Sequence, residues 1–366
     1  GLSGFRVDAV PFLLETVGPE DAAELPDPHD YLADLRAFLG RRNGEAILLG
    51  EVNLPYADTV RFYGSDRAEE LTMCFDFVAN QQLYLSLVRE DAGPLAGALR
   101  QRPAAPQDGQ WATFVRNHDE LSLDKLPEAQ RKEVFDALGA DEGMQIYGRG
   151  LRRRLPPMLG GDQRRIRMVY SLLFALPGTP VLFYGEEIGM GENLAAPGRH
   201  AVRTPMQWSP EPGAGFSAAD PADFVEPLVE GAFGPQHVNV RDQERDPGSL
   251  MSWVRLLIER YRDTPELAWG TPSVLDPGAE APSVLANRAD TEDCAVIALH
   301  NLAGTPATAR LTLSDLAGHA LRDVLPADGT VGVAGDGTVE VRLDGYGCRW
   351  LRTDRSSGRR RGKGRP

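Results

Sequence analysis

Gly4-Phe-Arg-Val-Asp8 is a short β-run that ends on a carboxylate, with Arg6 two positions before it. The pattern recurs twice. Ala46-Ile-Leu-Leu-Gly50 is an apolar run ending in Glu51, and Trp111-Ala-Thr-Phe-Val115 is followed by Arg116, Asn117, His118 and Asp119. The carboxyl ends of strands are where α/β folds gather their chemistry. Three acids placed just past buried-type strands therefore point to one catalytic site built on several strands.

Working outward, β-type runs alternate with helical patterns from Gly1 to Tyr184, as expected of parallel βαβ units. Strands are expected at Gly4–Asp8, Ala46–Glu51, Leu71–Phe75, Trp111–Val115 and Thr179–Tyr184. Helices are expected near His29–Arg42, Asn80–Arg89, Leu126–Gly139 and Asp162–Leu176, with Asp162 as an N-cap. In the first of these Tyr31, Leu32, Leu35, Phe38 and Leu39 share one face. Gly191 to Gln243 is rich in Gly, Pro and Asp and reads as an irregular connection ordered by packing. An amphipathic helix over Ser249–Tyr261 follows. From Gly270 the grammar changes to short alternating runs at Cys294–His300, Ala307–Leu313, Val339–Leu343 and Cys348–Leu351, the mark of an all-β module.

Bulk properties exclude several classes. The 366 residues carry a formal charge of −14 with 42% hydrophobic content. Seven Lys/Arg and one Asp lie between Arg352 and the end, so the remaining body carries −20. Such a body argues against a nucleic-acid groove, and no apolar stretch is long enough to span a membrane. Cys74, Cys294 and Cys348 are odd in number and far apart. They read as free thiols, which suits a cytoplasmic location.

The three acid-bearing segments resemble the nucleophile, acid/base and transition-state-stabiliser motifs of glycoside hydrolase family 13, the α-amylase superfamily, in that family's order. Phe183-Tyr-Gly-Glu-Glu-Ile-Gly-Met190 and Arg203-Thr-Pro-Met-Gln-Trp208 match as well. Gly4 to Pro11, Arg152-Arg-Arg-Leu155, Val238-Asn-Val240 and Arg245-Asp-Pro247 look most like the trehalose synthase branch. The resemblance runs from Gly1 to about Arg352. It implies an α/β fold: a partial (β/α)8 TIM barrel over residues 1–265, holding strands four to eight, then an antiparallel β-sandwich over 266–352. The basic tail 353–366 is expected to be disordered. The family's Asp-x-x-x-Asn-His segment has no counterpart, so the chain is expected to be the N-terminally truncated, carboxyl-terminal part of a longer enzyme.

The same resemblance assigns roles. Asp8 is expected as nucleophile, Glu51 as acid/base and Asp119 as stabiliser of the charge that develops on the sugar ring. Arg6, His118 and Arg203 are expected to bind substrate, a small α-linked gluco-oligosaccharide such as maltose. No cofactor is required for the chemistry. In trehalose synthases the segment after the nucleophile helps bind calcium, and the matching positions are Phe12, Leu13 and Glu15. Glu186 and Glu187, after the last strand, read either as a border of the pocket or, the favoured reading, as a structural loop. Where the trehalose synthase pattern has an Asn-Gln-Trp-Pro-like stretch, this chain has Val52-Asn-Leu-Pro55. Three readings follow: maltose–trehalose interconversion by double displacement, hydrolysis of the α-glucosidase or α-amylase type, and a non-catalytic remnant. The oligomeric state is not legible.

Overall fold

A computed structural model describes residues 2–12, 28–66, 68–325 and 329–354. The chain separates into two compact units. One comprises residues 1–80, 101–114 and 178–181, the other residues 81–100, 115–177 and 182–366.

The first unit is built on one parallel sheet. Its strands are β1 (Gly4–Val7), β2 (Ile47–Gly50), β3 (Met73–Phe75), β4 (Gln110–Phe114) and β5 (Thr179–Val181), in that spatial order. All five expected strands are present; four are shorter than their apolar runs, and the fourth keeps its expected length but starts one residue earlier, at Gln110. Val7 pairs with Gly50, Gly50 with Cys74, Phe75 with Ala112, and Phe114 with Val181. Among the described residues the sheet is open, with β1 and β5 at its edges.

Side chains alternate across the strands. Leu48, Cys74 and Trp111 join Val10, Leu32 and Leu39 in one apolar cluster. Met73, Phe75, Ala112 and Phe114 join Phe77, Leu49 and Val181 in another. β3 and β4, at the centre of the sheet, are buried on both faces and so read as continuous apolar runs, whereas Phe5 of β1 and Ile47 of β2 are exposed. In the second cluster Phe75, Phe77 and Phe114 meet edge-on, the closest ring centres being 5.2 Å apart.

The helix Pro28–Gly40 departs from the expected stripe. Leu32 and Leu39 are buried, while Tyr31 and Phe38 are exposed. The five residues span a wide arc, and only the Leu32/Leu39 edge faces the sheet. The Arg42 guanidinium covers the Phe38 ring at 3.9 Å. The helix Phe77–Arg89 starts three residues before its expected position because Asp76 caps it, accepting from the Ala79 N–H at 2.9 Å.

In the second unit, Asp162 caps the helix Gln163–Ala175 as expected, its side chain accepting from the Arg164 N–H. Helices over Glu128–Leu138 and Leu250–Arg262 are also present. The C-terminal part forms an antiparallel sheet of Thr271–Leu275, Val284–Asp290, Cys294–Asn301, Cys348–Asp354, Ala320–Asp323 and Thr330–Gly332, in that order, and a ribbon of Ala307–Thr312 with Thr338–Leu343. They share a core that includes Ala286, Ile297, Leu299, Leu311, Val341 and Leu351. The last strand runs through Asp354, two residues into the segment expected to be disordered. Residues 355–366 lie outside the described residues.

Candidate active site

In the first unit, parallel pairing in register brings the ends of β1 and β2 together. The Glu51 N–H donates to the Val7 carbonyl at 3.0 Å, and the Val10 N–H donates to the Glu51 carbonyl at 3.1 Å. The residues after each strand are thereby tied by backbone bonds. Between them Ala9 has φ +43°, a strained conformation for a residue with a Cβ. Gly50 leaves no room for a side chain, since a Cβ there would stand 2.2 Å from Leu71 Cδ1.

Arg6 connects the two candidate acids. Its Nη1 lies 2.8 Å from Asp8 Oδ1, and its Nη2 contacts Glu51 Oε2. The Asp8 side chain is 72% exposed and that of Glu51 21%. The expected nucleophile, acid/base and substrate-binding arginine are thus brought together on one guanidinium.

A third strand-end acid, Asp76 after β3, was not singled out in the sequence. It is buried, 2.9 Å from Arg102 Nη1, accepts from the Tyr56 hydroxyl at 2.9 Å, and caps the following helix. Saturated in this way, it serves the fold. Tyr56 and Tyr63 belong to the core of this unit, both edge-on to Trp111.

In the second unit the Arg116–Glu120 segment following β4 forms a charged cluster. Arg116 is buried; its Nε donates to the Arg153 carbonyl and its Nη2 to the Asp119 carbonyl at 2.7 Å. Asn117 Oδ1 accepts from the Asp119 N–H. The Asp119 carboxylate receives Arg203 Nη2 at 2.6 Å and Arg199 Nη1 at 3.0 Å, both at Oδ1. His118 Nε2 stands 3.5 Å from Oδ2. Arg203 Nε also donates to the His118 carbonyl at 2.7 Å. His118, Asp119 and Arg203 are therefore brought together. Arg199 and Glu120 were not anticipated, because nothing in the irregular Gly/Pro-rich stretch distinguishes Arg199 from other exposed arginines.

The triple arginine Arg152–Arg154 fixes the segment that carries Arg199 and Arg203. Arg152 donates to the Ala196 carbonyl at 2.8 Å, Arg153 pairs with Glu192 at 2.8 Å, and the buried Arg154 donates to the Val202 carbonyl at 2.7 Å. Arg154 also lies against the Phe183 and Tyr184 rings. Glu186 of the same neighbourhood is buried and accepts from the Phe183 N–H at 2.8 Å. Burial pushes its carboxyl up to about 8, against the opposing pull of that N–H and of Arg154.

Of the expected calcium positions, Phe12 is exposed at the end of a short 3-10 turn, while Leu13 and Glu15 lie outside the described residues. Among the described residues there is no group of three or more His, Cys, Asp or Glu side chains that could hold a metal.

Similarity to known proteins defines the class. The catalytic-domain model of the α-amylase family matches residues 1–136 and 152–270, and a sucrose hydrolase-like C-terminal domain matches residues 294–352. The chain belongs to the α-amylase family. It is 35% identical over 370 residues to a trehalose synthase of Pimelobacter sp. and 40% identical over 257 residues to one of Thermus thermophilus. These alignments take in 96% and 70% of this chain, and 63% and 26% of the respective relatives. The chain thus spans less than two thirds of either. The crystal structure of an α-amylase from H. orenii superimposes with a TM-score of 0.68 at 18% identity, over 96% of this chain and 61% of that one. The fold is therefore α-amylase-type, α/β with a β-rich C-terminal part.

Proposed function

We propose that this chain carries the chemistry of a retaining α-glucosyl enzyme that interconverts maltose and trehalose. The observation that carries the reading is the Arg6 contact to both Asp8 and Glu51, on the ends of adjacent parallel strands. Retaining glycosidases need two carboxyl groups roughly 5–5.5 Å apart, and neighbouring strand ends supply such proximity on rigid backbone. Similarity to trehalose synthases over 96% of the chain supports the branch.

In this reading a carboxylate oxygen of Asp8 attacks the anomeric carbon of the non-reducing glucose of maltose. The bond to the glycosidic oxygen breaks, and Glu51 gives its proton to that oxygen. The released glucose then presents its anomeric hydroxyl, Glu51 takes the proton, and the ester to Asp8 breaks as an α,α-1,1 bond forms. Water in place of glucose gives hydrolysis through the same intermediate. Asp119 accepts hydrogen bonds from sugar hydroxyls that strengthen as positive charge grows on the ring, and His118 assists. The five parallel strands are read as strands four to eight of a (β/α)8 barrel. A calcium ion held through Phe12, Leu13 and Glu15 belongs to the same proposal.

Cys74, Cys294 and Cys348 form no disulfide among the described residues, which supports a cytoplasmic location. No helix among the described residues is long and apolar enough to cross a membrane.

The test is to incubate the full-length product of the gene encoding this chain with maltose and resolve the sugars. Trehalose is expected, with a minor release of glucose. Glucose without trehalose replaces the isomerase by a hydrolase; no turnover of any α-glucoside removes the enzymatic reading.

A further inference from the structure

The geometry points to Arg199 as a positioning residue that sets the orientation of Asp119. The inference rests on the reading that Asp119 acts on substrate. Its physical basis, however, lies wholly in the contacts around residues 116–120 and 147–203.

Arg199 bridges two carboxylates of consecutive residues. Nη1 meets Asp119 Oδ1 at 3.0 Å while Nε lies 2.8 Å from Glu120 Oε2. The Glu120 side chain is 5% exposed, so removing its cation leaves a charge with little access to water. Its other oxygen faces Arg149 Nη2 at 3.5 Å, a weaker contact. The Tyr147 ring lies near both guanidiniums, 5.5 Å from Arg199 and 5.9 Å from Arg149. Tyr147 itself holds a left-handed backbone conformation, φ +57°, beside Gly148. The ring thus lies beside the two arginines that face Glu120.

The Asp119 carboxylate can turn about Cα–Cβ and Cβ–Cγ unless its oxygens are held. Arg203 and Arg199 both hold Oδ1, and the backbone beside the carboxylate is already held by Asn117 and Arg116. Arg203 belongs to the Arg203–Trp208 motif, whereas Arg199 is presented by the turn Gly198–Val202. That turn is pinned by Arg152 donating to the Gly198 carbonyl at 3.3 Å and by the Asn193 N–H donating to the Ala201 carbonyl at 2.9 Å. Arg152 and Asn193 thus tie down the backbone that presents Arg199, while two carboxylates hold its guanidinium.

A planar fork reaches both carboxylates at once and an ammonium cannot. Both R199A and R199K should therefore release Asp119. In the full-length gene product, kcat of each should fall about 10²-fold, the cost typical of a misplaced catalytic group, with KM within about threefold. Methylguanidinium should restore part of kcat in R199A. A merely structural arginine would not show that rescue. A kcat within twofold of the parent in both variants overturns the inference. The second readout needs no activity: in a crystal structure of R199K or R199A, whichever folds, the Asp119 carboxylate should turn away from its parent orientation. An unchanged Asp119 overturns the inference even if turnover falls. An inactive parent sinks the functional proposal and leaves this structural readout to decide on Arg199.

Discussion

Asp8 and Asp119 both follow strands of one parallel sheet, yet their surroundings differ. Asp8 is 72% exposed and meets an arginine that also contacts Glu51. The Asp119 side chain is 15% exposed and takes two arginines on one oxygen, with its own backbone N–H and carbonyl both engaged. An acid that must form and break a bond has to remain accessible and change partners. One that only shapes a charge distribution benefits from being immobilised. Asp76 marks the far end of the series: it is buried, paired and capping a helix.

The comparison breaks most sharply at the accessible acid. Asp8→Asn should lower turnover of the full-length gene product by about 10⁴-fold or more, with an unfolding midpoint close to the parent's, because the swap is nearly isosteric at an exposed group. A variant that melts early would place Asp8 with Asp76.

The reverse result is expected at Asp76. Asp76→Ala leaves Arg102, whose side chain is 6% exposed, as a buried charge without its carboxylate, and removes a helix cap. The cost should be about 3–5 kcal/mol, read from urea denaturation. Unchanged stability would show that exposure does not separate structural from chemical acids here.

Glu186 gives a smaller, pH-dependent effect. With its carboxyl raised from the usual 4.5 to about 8 by burial, the folded state keeps a proton that the unfolded state has lost. Stability should therefore fall as pH rises across that window and level off above it, by on the order of 1 kcal/mol per pH unit. Glu186→Gln should flatten the profile when urea midpoints are compared at low, middle and high pH within the window. A parallel profile in the variant would contradict the assignment. The smallest effect is at the helix cap: Asp162→Ala should cost about 1 kcal/mol, visible as a lowered melting temperature without loss of turnover.

The sheet was legible because its strands stand out as short apolar runs, most clearly β3 and β4, which are buried on both faces. The acids at their ends were legible because they recur at the same place relative to those runs. Val284–Asp290 was missed because its buried Arg288, paired with Asp290 at 2.7 Å and Asp315 at 2.5 Å, hides the alternation a strand is recognised by. Phe38 was grouped with buried leucines because periodicity gives a face but not which edge of it meets the sheet. Arg199 had no local signal, since its partners lie about 80 residues earlier in the chain. Long-range ion pairs from irregular segments are set by packing, and no spacing rule reports them.

The central claim is that Asp8 forms a covalent bond to glucose. Treating the full-length gene product with a 5-fluoro-α-glucosyl fluoride slows breakdown of the intermediate, so that mass spectrometry of the digested protein can locate the label. The account predicts one added fluoroglucosyl group on Asp8, in the peptide beginning at Val7, and none in the Asp8→Asn variant. A label on Glu51, Asp119 or any other residue, or turnover of the reagent with no covalent adduct, would contradict it.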